Sequence, residues 1–106
     1  MASKALEIYT SVPKRHNCAQ AVIEGLGFPE RVPEMAAFGG GRAPDGTCGA
    51  LYAAMSALPE ADREALACEF RAELGATRCR ELKAAGVPCP SCVDCAARLA
   101  ERHRGA

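Results

Sequence analysis

Alanine occupies 22 of the 106 positions, whereas Val, Ile and Thr together occupy only ten. Alanine loses no side-chain freedom in a helix, and β-branched residues favour pleated strands. The imbalance predicts an all-α fold: a single compact domain of six or seven short helices over residues 1–106. A chain of this length buries roughly 65% of its unfolded surface, enough for one modest core. Lys+Arg and Asp+Glu both total 13. The zero formal charge excludes a domain driven onto nucleic acid by bulk charge.

Glycine and proline set the helix boundaries. A first helix is expected over Ala2–Val12, stopped before Pro13. Asn17 and Gln20 have the spacing of a capping box and predict a helix from Cys18, with Ala19, Val22, Ile23 and Leu26 on one stripe. Gly25 and Gly27 end it, and Pro29 and Pro33 frame a short helical piece reaching Phe38. Gly39–Gly49 holds five glycines in eleven residues and reads as a loop before the central helix. Thr47 is the expected cap of that helix, which starts near Cys48 and runs to Leu58. Glu60–Leu74 is the clearest amphipathic pattern, with Leu66, Phe70 and Leu74 four residues apart and Gly75 as its stop. Thr77 is the expected cap of a short helix over Arg78–Ala85, and a last helix covers Ser91–Arg102.

Seven cysteines, at positions 18, 48, 68, 79, 89, 92 and 95, are the chemical signal. Three disulfides would leave one thiol over. Residues 1–13 lack the apolar stretch of a secretory signal, and the apolar run Gly49–Leu58 is too short to span a bilayer. The expected setting is therefore cytoplasmic and reducing, without membrane insertion, where clustered thiols point to redox or metal chemistry. Cys18 and Cys48 fall at helix starts, where unpaired N–H groups and the positive end of the dipole favour a thiolate. Arg15, His16 and Arg42 add nearby positive charge, and Gly39, Gly40 and Gly41 let backbone approach a ligand closely. Cys89, Cys92 and Cys95 form C-x2-C-x2-C, a spacing shared by dithiol motifs, zinc sites and the start of an Fe–S run. Leu99 stands where a bacterial ferredoxin has its fourth cysteine. Cys68 lies about 160° around its helix from the Leu66 stripe and reads as a surface residue. Tyr52 reads as a core tyrosine, Asp45 as a turn former, His103 as part of a solvated basic tail, and His16 as either a surface residue or a base for Cys18.

Several segments together resemble a known family. They are Asn17-Cys18-Ala19-Gln20-Ala21-Val22, Phe38-Gly39-Gly40-Gly41, Thr47-Cys48-Gly49-Ala50-Leu51, Cys79-Arg80-Glu81-Leu82, and Cys89 with a closing Ala96-Ala97 helix. In order and spacing they resemble the redox-active proteins named the C_GCAxxG_C_C family, over about residues 5–100. The resemblance implies a small all-helical domain whose four characteristic cysteines fall on Cys18, Cys48, Cys79 and Cys89. Two departures stand out. Ala53 replaces the last glycine of the CGAxxG segment, and Cys92 and Cys95 are additional thiols. A related domain accompanies haem in a split-Soret type cytochrome, but this chain has no C-x-x-C-H haem attachment motif.

The leading expectation is a redox-active protein using clustered thiols, by dithiol–disulfide exchange at Cys18, Cys48, Cys79 and Cys89 with Cys48 as attacker, or by metal-thiolate electron transfer. In the metal version these four thiolates, extended by Cys92 and Cys95, hold an Fe–S cluster, zinc or copper. A second class is a non-enzymatic metal carrier or sensor. A third is a helical interaction module with structural cysteines, forming a homodimer through an apolar outer face of the Gly49–Leu58 helix. The residues leave the redox partner open.

Overall fold

The computed structural model describes residues 4–10, 16–38, 43 and 46–104. Among them are seven α-helices: α1 (Lys4–Tyr9), α2 (Cys18–Gly25), α3 (Val32–Met35), α4 (Gly49–Ser56), α5 (Glu60–Leu74), α6 (Cys79–Ala84) and α7 (Cys89–His103). Short 3-10 turns at Pro29–Arg31 and Ala36–Phe38 flank α3. No strand forms among these residues, and no helix is long and apolar enough to cross a membrane. The radius of gyration, 12.1 Å, is that of one compact domain. The all-α expectation is met.

The capping box of α2 forms as its spacing predicts. Asn17 Oδ1 accepts from Gln20 N at 2.7 Å, and Gln20 Oε1 accepts from Asn17 N at 3.0 Å. The other ends of both side chains reach outward. Asn17 Nδ2 donates to the carbonyls of Met35 and Ala36, and Gln20 Nε2 to that of Val32. One cap thus fixes the start of α2 and ties residues 32–36 across it.

The core is built mostly of small side chains. α4 lies at its centre, packed against α2, α5 and α7, with Gly49, Ala50, Leu51, Ala53 and Ala54 buried. Ala53, in the place of the glycine that the resemblance calls for, is fully buried. α7 contributes Val93, Ala96, Ala97, Leu99 and Ala100, and α5 contributes Leu66 and Phe70 from its predicted stripe. Gly25 allows α1 to cross close to α2: a Cβ there would lie 2.7 Å from the Ala5 Cα. No residue of α4 is exposed, and Tyr52, Met55 and Ser56 are half-buried on its outer side. At the far end of α7, Arg104 donates to the Leu26 carbonyl and stacks over Phe28, its guanidinium 5.1 Å from the ring centre.

Three boundaries differ from the sequence reading. Thr47 does not cap α4, and Thr77 does not cap α6. Thr47 and Arg78 instead pair as an isolated antiparallel bridge, and Cys48 N donates to Thr77 O at 2.8 Å. This pairing holds both segments extended for one residue longer, so Cys48 and Arg78 become the N-caps. α7 begins at Cys89, two residues earlier than expected, with Pro90 in its first turn. Proline fits there because the first-turn N–H groups have no helical partner. α1 is seen over Lys4–Tyr9, and the remainder of the predicted Ala2–Val12 helix lies largely outside the described residues. His103 is half-buried and not free in the tail: its Nε2 lies 2.8 Å from Glu69 Oε1, linking α7 to α5.

Candidate functional site: a cysteine-lined cavity

Four helices begin at one place. Cys18, Cys79 and Cys89 are the first residues of α2, α6 and α7, and Cys48 is the N-cap of α4. Cys92 follows Cys89 by one turn. These five cysteines line a cavity of about 20 Å³, together with Gly49, Leu82, Lys83 and Val87. That is room for one or two water-sized molecules. Cys18, Cys48 and Cys92 are buried, while Cys79 and Cys89 are half-buried. None of the seven cysteines is in a disulfide. All four cysteines that carry the sequence resemblance stand on this wall.

Gly49 is what permits the convergence. A Cβ at this position would lie 2.3 Å from the Phe38 carbonyl oxygen and 3.0 Å from Cys18 Sγ. Only a residue without a side chain lets α4 begin against both groups. The sequence reading weighted Gly39, Gly40 and Gly41, which lie outside the described residues along with Arg15, Arg42 and Asp45. The signal for Gly49 was its place directly after a helix-start cysteine.

Cys48 and Cys92 form the chemical centre. The Cys92 thiol donates to Cys48 sulfur, and this hydrogen bond is the main reason the Cys48 thiol is held down at about 7. Burial opposes the shift, and the N–H groups of Leu51 and Ala50 in the first turn of α4 reinforce it. These N–H groups favour the charged sulfur although no side chain closes a full N-cap hydrogen bond on α4. The same bond pushes Cys92 strongly upward, assisted by burial and by Cys48, Cys89 and Cys18 nearby. Within the pair, ionisation is thus favoured at Cys48 and disfavoured at Cys92. Burial raises Cys79, against the pull of neighbouring Lys83.

Other predicted residues lie elsewhere. Cys95 is buried off the cavity, and burial together with its hydrogen bond to Glu73 pushes it up to about 12. Glu73 is lowered by that bond and by Arg98, which it meets at 2.9 Å. Cys95 therefore joins α7 to the end of α5 and does not extend the five-cysteine wall. Cys68 is exposed on α5, as its helical position indicates. His16 Nε2 lies 2.7 Å from Glu24 Oε1, and His16 is not on the cavity wall. Tyr52 stacks on Phe38 with ring centres 4.7 Å apart. Leu82, from the segment Cys79-Arg80-Glu81-Leu82, closes the wall together with Lys83 and Val87, which the sequence alone did not mark.

Soft thiolates suit zinc, copper(I) or an Fe–S cluster. Among the described residues, however, no three His, Cys, Asp or Glu side chains are disposed to hold one metal ion. No family model matches the sequence, and no curated protein or solved structure does.

Proposed function

We propose that this is a thiol-based redox protein whose Cys48 and Cys92 cycle between a dithiol and a disulfide. The observation that carries the reading is that Cys48 and Cys92 are both buried on the wall of one cavity at which four helices begin. The Cys48 thiolate attacks a two-electron oxidant, forms a bond to it through sulfur, and expels a leaving group with its electron pair. Cys92 sulfur then attacks Cys48 sulfur. The remaining fragment leaves with the bonding electrons and takes up the Cys92 proton. Two thiols have lost two electrons, and the oxidant has gained them. The resemblance to the C_GCAxxG_C_C proteins supports the same chemistry, as does a reducing, cytoplasmic setting in which a resting dithiol persists.

Mild oxidation of the reduced protein, followed by thiol blocking and peptide mapping, tests this. The expected product is a Cys48–Cys92 crosslink that is lost in Cys48→Ser and in Cys92→Ser. A crosslink confined to other cysteines overturns the reading. Elemental analysis of anaerobically purified protein separates the metal-thiolate alternative: near-stoichiometric Fe, Zn or Cu lost on changing Cys18, Cys48, Cys79 or Cys89 would replace the dithiol cycle with a metal site.

A further inference from the structure

We propose that the oxidant of Cys48 is a hydroperoxide no larger than hydrogen peroxide, selected by the size of the cavity. This rests on the dithiol reading. Cys48 and Cys92 are each 4% exposed and Cys18 is 8% exposed, so the reacting sulfur is reached through the cavity and not from the surface. The cavity measures about 20 Å³. Hydrogen peroxide has two heavy atoms and fits the space of one or two waters. A disulfide presents at least two sulfurs and two carbons, and it must approach in line with the attacking sulfur. Cys48 cannot receive it without displacement of Leu82 or Val87, which form the apolar wall.

The wall also suits the chemistry of peroxide cleavage. The Cys48 thiolate attacks one oxygen, the O–O bond breaks, and hydroxide leaves with the bonding pair. Hydroxide departs in a cavity whose wall includes the cationic Lys83, and it takes a proton from solvent to become water. Cys48 is left as a sulfenic acid beside the Cys92 thiol. Cys92 sulfur displaces the hydroxyl from Cys48 sulfur, and the Cys92 proton leaves with it as a second water. One peroxide and two thiols give one disulfide and two waters. Cys92 lines the same cavity as Cys48, so the resolving thiol is already at the reaction site.

The exposed Cys68 provides an internal reference for the intrinsic reactivity of each reagent. Reduced protein is treated in turn with hydrogen peroxide, tert-butyl hydroperoxide and oxidised glutathione. The rates of loss of the Cys48 and Cys68 thiols are read by quenched mass spectrometry. The ratio of Cys48 to Cys68 rates should be at least ~10-fold higher with hydrogen peroxide than with either bulkier reagent, the discrimination a few carbon atoms produce in a tight site. Val87→Ala, which widens the wall, should raise the ratio for tert-butyl hydroperoxide by a larger factor than the ratio for hydrogen peroxide, and an equal change in both would count against size selection. Equal ratios for the three reagents in the wild-type protein overturn the size selection while leaving the dithiol pair standing. If no reagent links Cys48 to Cys92, the dithiol reading itself falls.

Discussion

Replacing Cys92 with alanine should abolish the acidity of Cys48. In the wild-type site the Cys92 hydrogen bond is the largest influence on Cys48, ahead of burial, and the sulfur titrates at about 7. Without Cys92, burial and the N–H groups of Leu51 and Ala50 remain as opposing effects. Cys48 then returns toward its ordinary value of 9.0. A midpoint moving from about 7 to about 9 lowers the thiolate fraction at neutral pH from roughly one half to roughly one in a hundred, about 3 kcal/mol of lost thiolate stabilisation. The assay is a pH titration of the Cys48 Cβ resonance in protein labelled with 13C-cysteine, which needs no reagent to enter the buried site. Cys92→Ser keeps a donor and should hold the midpoint below that of Cys92→Ala. A Cys48 midpoint near 7 in a folded Cys92→Ala protein would refute the reasoning, because the acidity would then come from the helix start alone.

Three further outcomes are expected. Gly49→Ala places a methyl against the Phe38 carbonyl and Cys18 sulfur. It should cost about 2 kcal/mol, read as a fall of ~10 °C in the thermal midpoint, and an unchanged midpoint would count against the close approach. Asn17→Ala removes the α2 cap and its ties to Met35 and Ala36 and should cost about 1 kcal/mol or more by urea unfolding, while Asn17→Asp, which keeps only the cap acceptor, should recover part of the loss. Under reducing conditions, stability should rise with pH from about 7 toward 9, because Cys48 is held low in the folded chain and its contribution is lost as pH falls through that value. Above about 9 it should decline, because Cys79, Cys92 and Cys95 are held high and ionise more readily once unfolded, and urea titrations across this range would show a maximum between the two limits.

The parts of the fold legible in the sequence are those decided within one helix. α5 runs over its predicted residues because its apolar spacing, acidic first turn and Gly75 stop all lie within the segment, and Gly75 adopts the left-handed conformation such a stop requires, with φ 94°. The capping box of α2 is equally local. The caps of α4 and α6 were not legible, because the bridge between Thr47 and Arg78 joins segments far apart in the chain and overrides the local preference of threonine. The cysteines divide in the same way. Cys18 and Cys48 at helix starts followed from spacing. Which of Cys92 and Cys95 faces the others depends on where α7 begins and on about 100° of rotation per residue. That rotation carries Cys95 away from Cys89, onto the side that meets Glu73.

The alanine-built core also governs how the molecule accommodates a change of oxidation state. Long aliphatic side chains absorb a shift in a neighbour by changing rotamer, whereas alanine has no rotamer to change. Ala19, Ala21, Ala50, Ala53, Ala54, Ala96 and Ala100 are all fully buried between α2, α4 and α7. Motion that brings two sulfurs into bonding distance is therefore confined to the cysteine side chains themselves or to α6, whose single buried residue is Leu82 and whose flanks are Gly75 and Gly86 with positive φ. The three packed helices behave as a stiff frame, and the adjustment between reduced and oxidised forms is borne at its edge.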